Sequence, residues 1–378
     1  MGVRIIKFID RYIGNVLCLI LGLINLFRKK TPPDIKNILV IQFWGIGETI
    51  LTLPAINALR LKFPKAKISI LATQRNKDVY ESFEGYNKLE LIDLGVFSII
   101  KFIINNHRKF DLVVDMEEYL NISAIIALFV GKKTVGYSHG VRSLLYTDKV
   151  KYDDKQHVSK TFLDLVKKLG IKSEVISLEK LKVSQKDRQV VEALLNKLKI
   201  SKKDLIIGIA PGAAESAKSR IWSGNRFAKV ADKLIEKYHA KVIFIGAGDE
   251  RNLIGNVQDS MKNKSFNLAG RISLKQTFYL IEKCKLFISN DTGPMHMAAA
   301  QGIKTMGLFG PNLPVRFGPF GKKNISIYEG KVCEYSPCIN VHKGRVPDCL
   351  FMKRSGNYQK CMNAIEVDDV MKAVSKLL

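Results

Sequence analysis

The sequence predicts an α/β protein built from two doubly wound, parallel-sheet domains. Short apolar runs, such as NILVIQ at 37–42 and LIIGIA at 205–210, alternate with segments of helical periodicity, the pattern of repeated strand–helix units. These runs end in Gly, Pro, Asn or Asp, which turn a buried strand into the next helix. At 378 residues the chain exceeds one typical domain, and a composition 47% hydrophobic and 25% charged can fill two cores. Lys and Arg number 61 against 35 Asp and Glu, a formal charge of +26. That excess favours anionic partners: nucleotides, phosphorylated sugars or anionic lipid. Nucleic acid is not expected, because no nucleic-acid motif is present and the bases are spread along the chain instead of forming one tract.

Residues 1–34 read as a membrane-associating segment and linker. An apolar run over 13–27 is interrupted by Gly14, Asn15, Gly22 and Asn25 and flanked by Arg4, Lys7, Arg11, Arg28, Lys29 and Lys30. A spanning helix wants about 20 predominantly apolar residues, and this run is short and broken. It is expected to lie on an anionic membrane surface, with a true span or a helix packed on the protein as alternatives. A signal peptide is disfavoured, since no small-residue cleavage site follows. The Pro-Pro pair within 31–34 marks the linker.

The first domain is expected over 35–200. Its opening strand, 37–42, runs into a turn containing Gly45, Gly47 and Glu48 and then a helix over 49–63. Glycines at a strand-to-helix junction let a ligand approach the backbone, although the full dinucleotide spacing is absent. Further strands are expected at 67–72, 111–115 and 135–137, with a helix near 122–130. A highly charged connection over 148–204, with helices near 158–169 and 185–199, closes the domain as a largely solvated face.

The second domain is expected over 201–330. The strand at 205–210 ends in Pro211, Gly212 and Ala213, and a basic stretch with Lys218, Arg220 and Trp222 follows. After the strand at 241–245 comes a turn over 246–250 ending in Glu250. The stretch 286–302 (LFISNDTGPMHMAAAQG) is the most informative in the chain: strand, turn, helix. Asp291 or Thr292 can cap, Gly293 permits close approach, and Pro294 suits the first helical position. The free amides and positive dipole end then point where a phosphate or pyrophosphate would be held, with His296 on the first turn near enough to reach it. An ordinary capped helix with a surface His is the plain alternative.

Together these motifs resemble glycosyltransferase family nine, the ADP-heptose:lipopolysaccharide heptosyltransferases. The resemblance rests on 211–213, Arg220-x-Trp222, the turn with Glu250, 267–270 (NLAG) and Asp291-Thr292-Gly293-x-x-His296, with Gly45, Gly47 and Glu48 preceding Thr52-Leu53-Pro54. It implies a GT-B architecture, two Rossmann-like domains facing across a cleft, the donor nucleotide in the C-terminal one and the acceptor in the N-terminal one. It further implies an inverting, metal-independent transfer of a sugar, most plausibly heptose from ADP-heptose, to a lipid-linked or lipopolysaccharide-core saccharide. Asp291, Thr292, Gly293 and His296 fall where the family holds the donor diphosphate, Arg220 where it contacts phosphate, and Glu250 where it binds ribose. Gly45, Gly47, Gly212 and Lys218 belong to the adjoining donor and acceptor loops. The family's proposed general base is an Asp, and this chain has Glu48 there. That departure keeps open a non-catalytic sugar-nucleotide or saccharide-binding relative. The place implied is the cytoplasmic face of the inner membrane, peripherally bound.

The tail, 331–378, concentrates Cys333, Cys338, Cys349 and Cys361 among basic residues, before a final helix at 367–378. Four thiolates are a zinc-ligand set, but these spacings lack the usual short knuckle. Structural zinc, disulfides and unpaired thiols therefore all remain readings of the tail. No cofactor is expected in the transfer itself.

Overall fold

Two parallel sheets of six strands organise the chain. The computed structural model describes residues 8–26, 34–43 and 45–378. Arg4, Lys7, Arg28, Lys29, Lys30 and most of the expected linker lie outside the described residues. The first sheet comprises β1 (Asn37–Ile41), β2 (Lys67–Ala72), β3 (Lys88–Leu91), β4 (Phe110–Asp115), β5 (Gly131–Tyr137) and β6 (Asp148–Val150), in the order β3-β2-β1-β4-β5-β6. The second comprises β7 (Ile206–Ala210), β8 (Lys241–Phe244), β9 (Phe266–Asn267), β10 (Leu286–Asn290), β11 (Lys304–Phe309) and β12 (Ile325–Tyr328), in the order β12-β11-β10-β7-β8-β9. Numbered within its own domain, each sheet is 3-2-1-4-5-6, the Rossmann order. The winding therefore reverses between β1 and β4, and again between β7 and β10. Ligand crevices belong beyond the carboxyl ends of those strands.

The central strands are buried on both faces, which is why they read as unbroken apolar runs. β1 pairs with β4 through Ile38 and Leu112, and β10 pairs with β7 through Ile288 and Ile209. All four of these side chains are fully buried. Edge strands are more polar: on β3, Lys88 and Glu90 pair at 2.5 Å.

The chain divides after Ile176, earlier than the expected boundary at 200. Helix Gln185–Lys197 belongs with the second unit, where it packs on helix Leu274–Glu282. The Tyr279 hydroxyl donates to Glu192 Oε1 at 2.6 Å, and Gln276 Nε2 donates to Asp187 Oδ1 at 3.1 Å. The charged surface of this helix hides its two anchoring apolar residues, Val191 and Leu195.

The tail is also part of the second unit. Cys361, Met362, Ile365, Val370 and Val374 join the core that holds Trp222, Phe227 and the inner face of β7 to β11. The Trp222 Nε1–H donates to the Ile365 carbonyl at 3.0 Å, stitching tail to basic loop.

Candidate functional site

In the second unit the candidate residues gather beyond the β7/β10 reversal. β10 ends in Asn290, a fully buried amide. Its Nδ2 donates to the carbonyls of Pro211 (2.8 Å) and Gly212 (3.3 Å), and its Oδ1 accepts from the Trp222 backbone N–H (3.2 Å). One side chain thereby fixes two loops.

Past Asn290 the chain turns through Asp291 and Thr292 into helix Gly293–Ala300, with Pro294 in its first turn. The expected side-chain cap does not form. Thr292, at the cap position, makes no such bond. Asp291 is turned sideways: its buried Oδ2 accepts from Asn312 Nδ2 at 2.8 Å and stands 3.4 Å from Arg220 Nη1. Arg220 Nη1 also donates to the Asp291 carbonyl at 3.0 Å. A helix N-terminus without a side-chain cap, with a guanidinium beside it, has the chemistry to hold an anion. His296 is on the first turn as expected but only 4% exposed, so its ring forms part of the wall.

Arg220 ends the short helical turn Glu215–Arg220, on which Lys218 is exposed. Tail residues clamp this turn. Gln359 Nε2 donates to the Lys218 carbonyl (2.8 Å), and Ser219 Oγ donates to the Pro347 carbonyl (3.1 Å).

Glu250 ends the turn Gly248–Glu250 that follows β8. Its Oε2 accepts from the Ala247 N–H at 2.7 Å. The same carboxylate lies against Gly212, where a Cβ would come within 1.8 Å of Oε1. Burial raises the Glu250 pKa, Asp249 adds to that, and the Ala247 bond opposes it. The 267–270 turn closes from the other side: Gly270 has φ +67°, and a Cβ there would stand 2.6 Å from Gly248 Cα.

The first unit repeats this plan with opposite charge. After β1 the chain turns at Gly45, with φ +75°, into helix Ile46–Lys62, where Gly47 is buried and Glu48 lies in the first turn. The Glu48 carboxylate folds back over Gly45, 1.5 Å from where a Cβ would be. The loop is braced by Thr49 Oγ1 donating to the Gly45 carbonyl (2.7 Å) and Thr73 Oγ1 to that of Phe43 (2.8 Å). Asn76 Nδ2 donates to the Gln42 carbonyl at 2.9 Å.

Across the β1/β4 reversal stand acids that were not singled out in the sequence. Glu117 Oε1 accepts from the Phe43 N–H at 2.5 Å, spanning the crevice. Burial raises the Tyr119 phenol pKa, and the charges of Glu117, Glu48, Glu118 and Asp10 add to the rise. Behind them Asp115 Oδ2 accepts from Arg142 Nη2 (2.7 Å) and the Tyr146 hydroxyl (2.6 Å), and all three side chains are buried. The signal was present: 115–118 (DMEE) places three acids at the carboxyl end of an apolar strand.

In the tail, Cys333, Cys338, Cys349 and Cys361 all line one cavity of about 10 Å³. All are free thiols. Burial pushes Cys361 up to about 12 and raises Cys338. Among the described residues, no group of three or more His, Cys, Asp or Glu side chains is placed to hold a metal ion.

Residues 101–342, well over half the chain, match the family model for glycosyltransferase family 9 (heptosyltransferase). The chain is 23% identical over 340 residues to lipooligosaccharide heptosyltransferase 2 of Campylobacter jejuni, covering 88% of this chain and 95% of that one. It is similar to the solved glycosyl transferase family 9 structure from Veillonella parvula, with a TM-score of 0.77 and 24% identity, covering 92% of this chain and 98% of that one. It also resembles the E. coli ADP-heptose lipopolysaccharide heptosyltransferase II, with a TM-score of 0.70 and 19% identity, covering 91% and 98%. The fold is α/β and GT-B-like, built from two Rossmann-like units.

Proposed function

The chain belongs to glycosyltransferase family 9, the heptosyltransferases, and on that premise we propose that it moves a heptose from ADP-heptose to a lipid-linked saccharide of the lipopolysaccharide-core type, with inversion and without a metal. The observation that carries the reading is Arg220 beside the uncapped start of helix Gly293–Ala300. Those two positive elements receive the donor diphosphate, and Gly293 lets its oxygens approach the backbone. Glu250, lying over Gly212, accepts hydrogen bonds from the ribose hydroxyls. Asp291 holds Arg220 in place instead of touching the anion, and Thr292 and His296 shape the turn.

The first unit handles the acceptor. Glu48 takes the proton from the attacking hydroxyl as a new bond forms between that oxygen and the anomeric carbon. The bond from the anomeric carbon to the diphosphate breaks in line, so configuration inverts. The departing ADP carries its charge onto Arg220 and the helix amides, the role a metal takes elsewhere. Preorganised donors of this kind are worth on the order of a hundred- to a thousandfold in rate each.

A second reading, donor binding without transfer, is favoured by one observation: position 48 carries Glu, a side chain one methylene longer than the Asp expected of the base. Purified protein given ADP-heptose and a lipopolysaccharide-core acceptor, with a chelator present, separates the two. Product of inverted configuration, lost in Glu48→Gln while ADP still binds, supports transfer. ADP binding that Arg220→Ala abolishes, with no product from wild type, supports binding alone. Structural zinc in the tail is a separate proposal: the four cysteines line one cavity, but as they stand they are not placed to hold a metal, so binding would have to draw the thiols together. Elemental analysis of protein purified without chelator would remove it by finding no metal.

A further inference from the structure

The N-terminal helix, residues 8–26, is mounted the reverse way from an ordinary surface helix. Such a helix buries its apolar stripe and shows its polar face to water. Here the buried stripe is Asp10, Gly14, Cys18 and Gly22, spaced four apart. The Asp10 carboxylate accepts from the backbone N–H groups of Asn121 (2.9 Å) and Ile122 (2.8 Å), at the start of helix Asn121–Val130. Asn121 Nδ2 donates back to the Asp10 carbonyl and to Asn15 Oδ1, both at 2.9 Å. Asn25 Nδ2 donates to the Leu144 carbonyl at 2.8 Å. A Cβ on Gly14 would lie 2.8 Å from Asn121 Cβ, and one on Gly22 2.9 Å from Leu144 Cβ. The residues that interrupt the apolar run in sequence are therefore its docking contacts.

Leu21 packs on the core, but most of the large apolar side chains point away from the protein. Phe8, Tyr12, Ile13, Val16, Ile20 and Leu23 are each more than half exposed. A second helix, Val96–Asn105, packs Ile99, Phe102 and Ile103 on the core but also turns apolar side chains outward, leaving Phe97 90% and Ile104 69% exposed. Cys18 and Ile99 enter the same hydrophobic core, and both helices pack on Asn121–Val130. The two outward faces thus belong to one packed unit.

Charge selects what covers them. Asp10 is the only acid on either helix, and it faces inward, whereas Arg11 and Lys101 are exposed among the apolar side chains. A second copy would bring another chain of net charge +26 against this face, while an anionic bilayer supplies both hydrocarbon and opposite charge. Among the described residues no helix is long and apolar enough to cross a membrane, so these helices would lie in its surface. We propose that the N-terminal helix and helix Val96–Asn105 form a single docking platform for an anionic lipid bilayer, fixing the first unit's orientation on it. This inference is independent of the transfer reaction.

Flotation of the full chain with phosphatidylcholine vesicles, with and without phosphatidylglycerol, tests it. Wild type floats with the anionic vesicles and less so as salt rises. Ile20→Glu with Leu23→Glu, and separately Phe97→Glu with Ile104→Glu, each weaken partitioning at least about tenfold without lowering the melting temperature, because all four side chains are exposed. Undiminished flotation of the Phe97/Ile104 pair overturns the two-helix platform. A wild type that stays with the soluble fraction, or a concentration-dependent dimer abolished by the same substitutions, overturns the lipid assignment.

Discussion

Glu250 lies across Gly212, with its Oε1 1.8 Å from where a Cβ on Gly212 would be. The two residues leave the sheet from different strands, so the bare backbone at 212 is what lets the carboxylate into the crevice. Gly212→Ala would meet the far end of a flexible side chain, which can swing away, so the fold should tolerate it. ADP affinity should not. Losing hydrogen bonds to a charged group costs about 1.5–3 kcal/mol, or roughly ten- to a hundredfold in Kd. Calorimetric titration with ADP beside a thermal melt reads both effects. Unchanged ADP affinity would show that Glu250 does not touch the nucleotide.

The pH dependence of donor binding follows from the same carboxylate. An acid whose pKa is raised by burial takes up its proton at higher pH than the ordinary value of 4.5. On acidification Glu250 would lose its full acceptor capacity while exposed carboxylates remain charged. ADP binding should therefore weaken at a pH above 4.5, and Glu250→Gln should remove that limb. The fold favours the neutral form of this group, so its contribution to stability is larger at low pH and is lost as pH rises through the raised pKa. A binding curve flat to the ordinary glutamate range, or one unaltered in the Gln variant, would count against the assignment.

What the sequence disclosed, and what it did not, follows from where information is local. β1, β7 and β10 are buried on both faces and flanked by turn residues, so their apolar runs were readable, as was the Asp291-to-Gly293 turn. β3 and β12 sit at sheet edges with half-polar composition, and their strand character comes from pairing with a distant neighbour. The side-chain direction of Asp291 was not readable either, because Arg220 and Asn312, which turn it from capping, lie far away in sequence. His296 is buried by the packing of a whole helix, which periodicity cannot resolve in an Ala-rich segment. The N-terminal helix misled in an informative way: Gly14 and Gly22 look like defects in an apolar run until Asn121 and Leu144 are placed against them.

Arg142 should be the most sensitive structural position in the first unit. Its guanidinium is 2% exposed and bonds Asp115, the Glu117 carbonyl (2.6 Å) and Ser123 Oγ (3.1 Å). Arg142→Met would leave Asp115 buried and uncompensated, a cost of about 3–5 kcal/mol. Turn Val141–Leu145 also seats the N-terminal helix through Leu144, so the loss should spread to that docking contact. Urea unfolding followed by fluorescence measures the loss. Adding Asp115→Leu to Arg142→Met should recover part of it, since the orphaned charge is then gone. A loss under about 1 kcal/mol in the single variant would contradict the buried network.

The corresponding pair in the first unit, Glu48 and Gly45, gives the sharpest test of catalysis. If Glu48 is the base, Glu48→Gln should lower kcat by about a hundred- to ten-thousandfold with ADP affinity unchanged, because the donor residues belong to the other unit. Gly45→Ala should reproduce that loss by a different route. Gly45 has φ +75°, which strains any L side chain, and a Cβ there would stand 1.5 Å from Glu48 Oε2 and displace the carboxylate. Glu48→Asp shortens the reach by one methylene and should keep an intermediate rate, since misplacement of about an ångström is tolerated poorly but not fatally. Steady-state rates beside ADP titrations for the three variants decide the matter. Loss of ADP binding in parallel with kcat would mean that the β1 turn serves the donor. Full activity in Glu48→Gln would move the base to the acids after β4, with Glu118→Gln the next variant to measure.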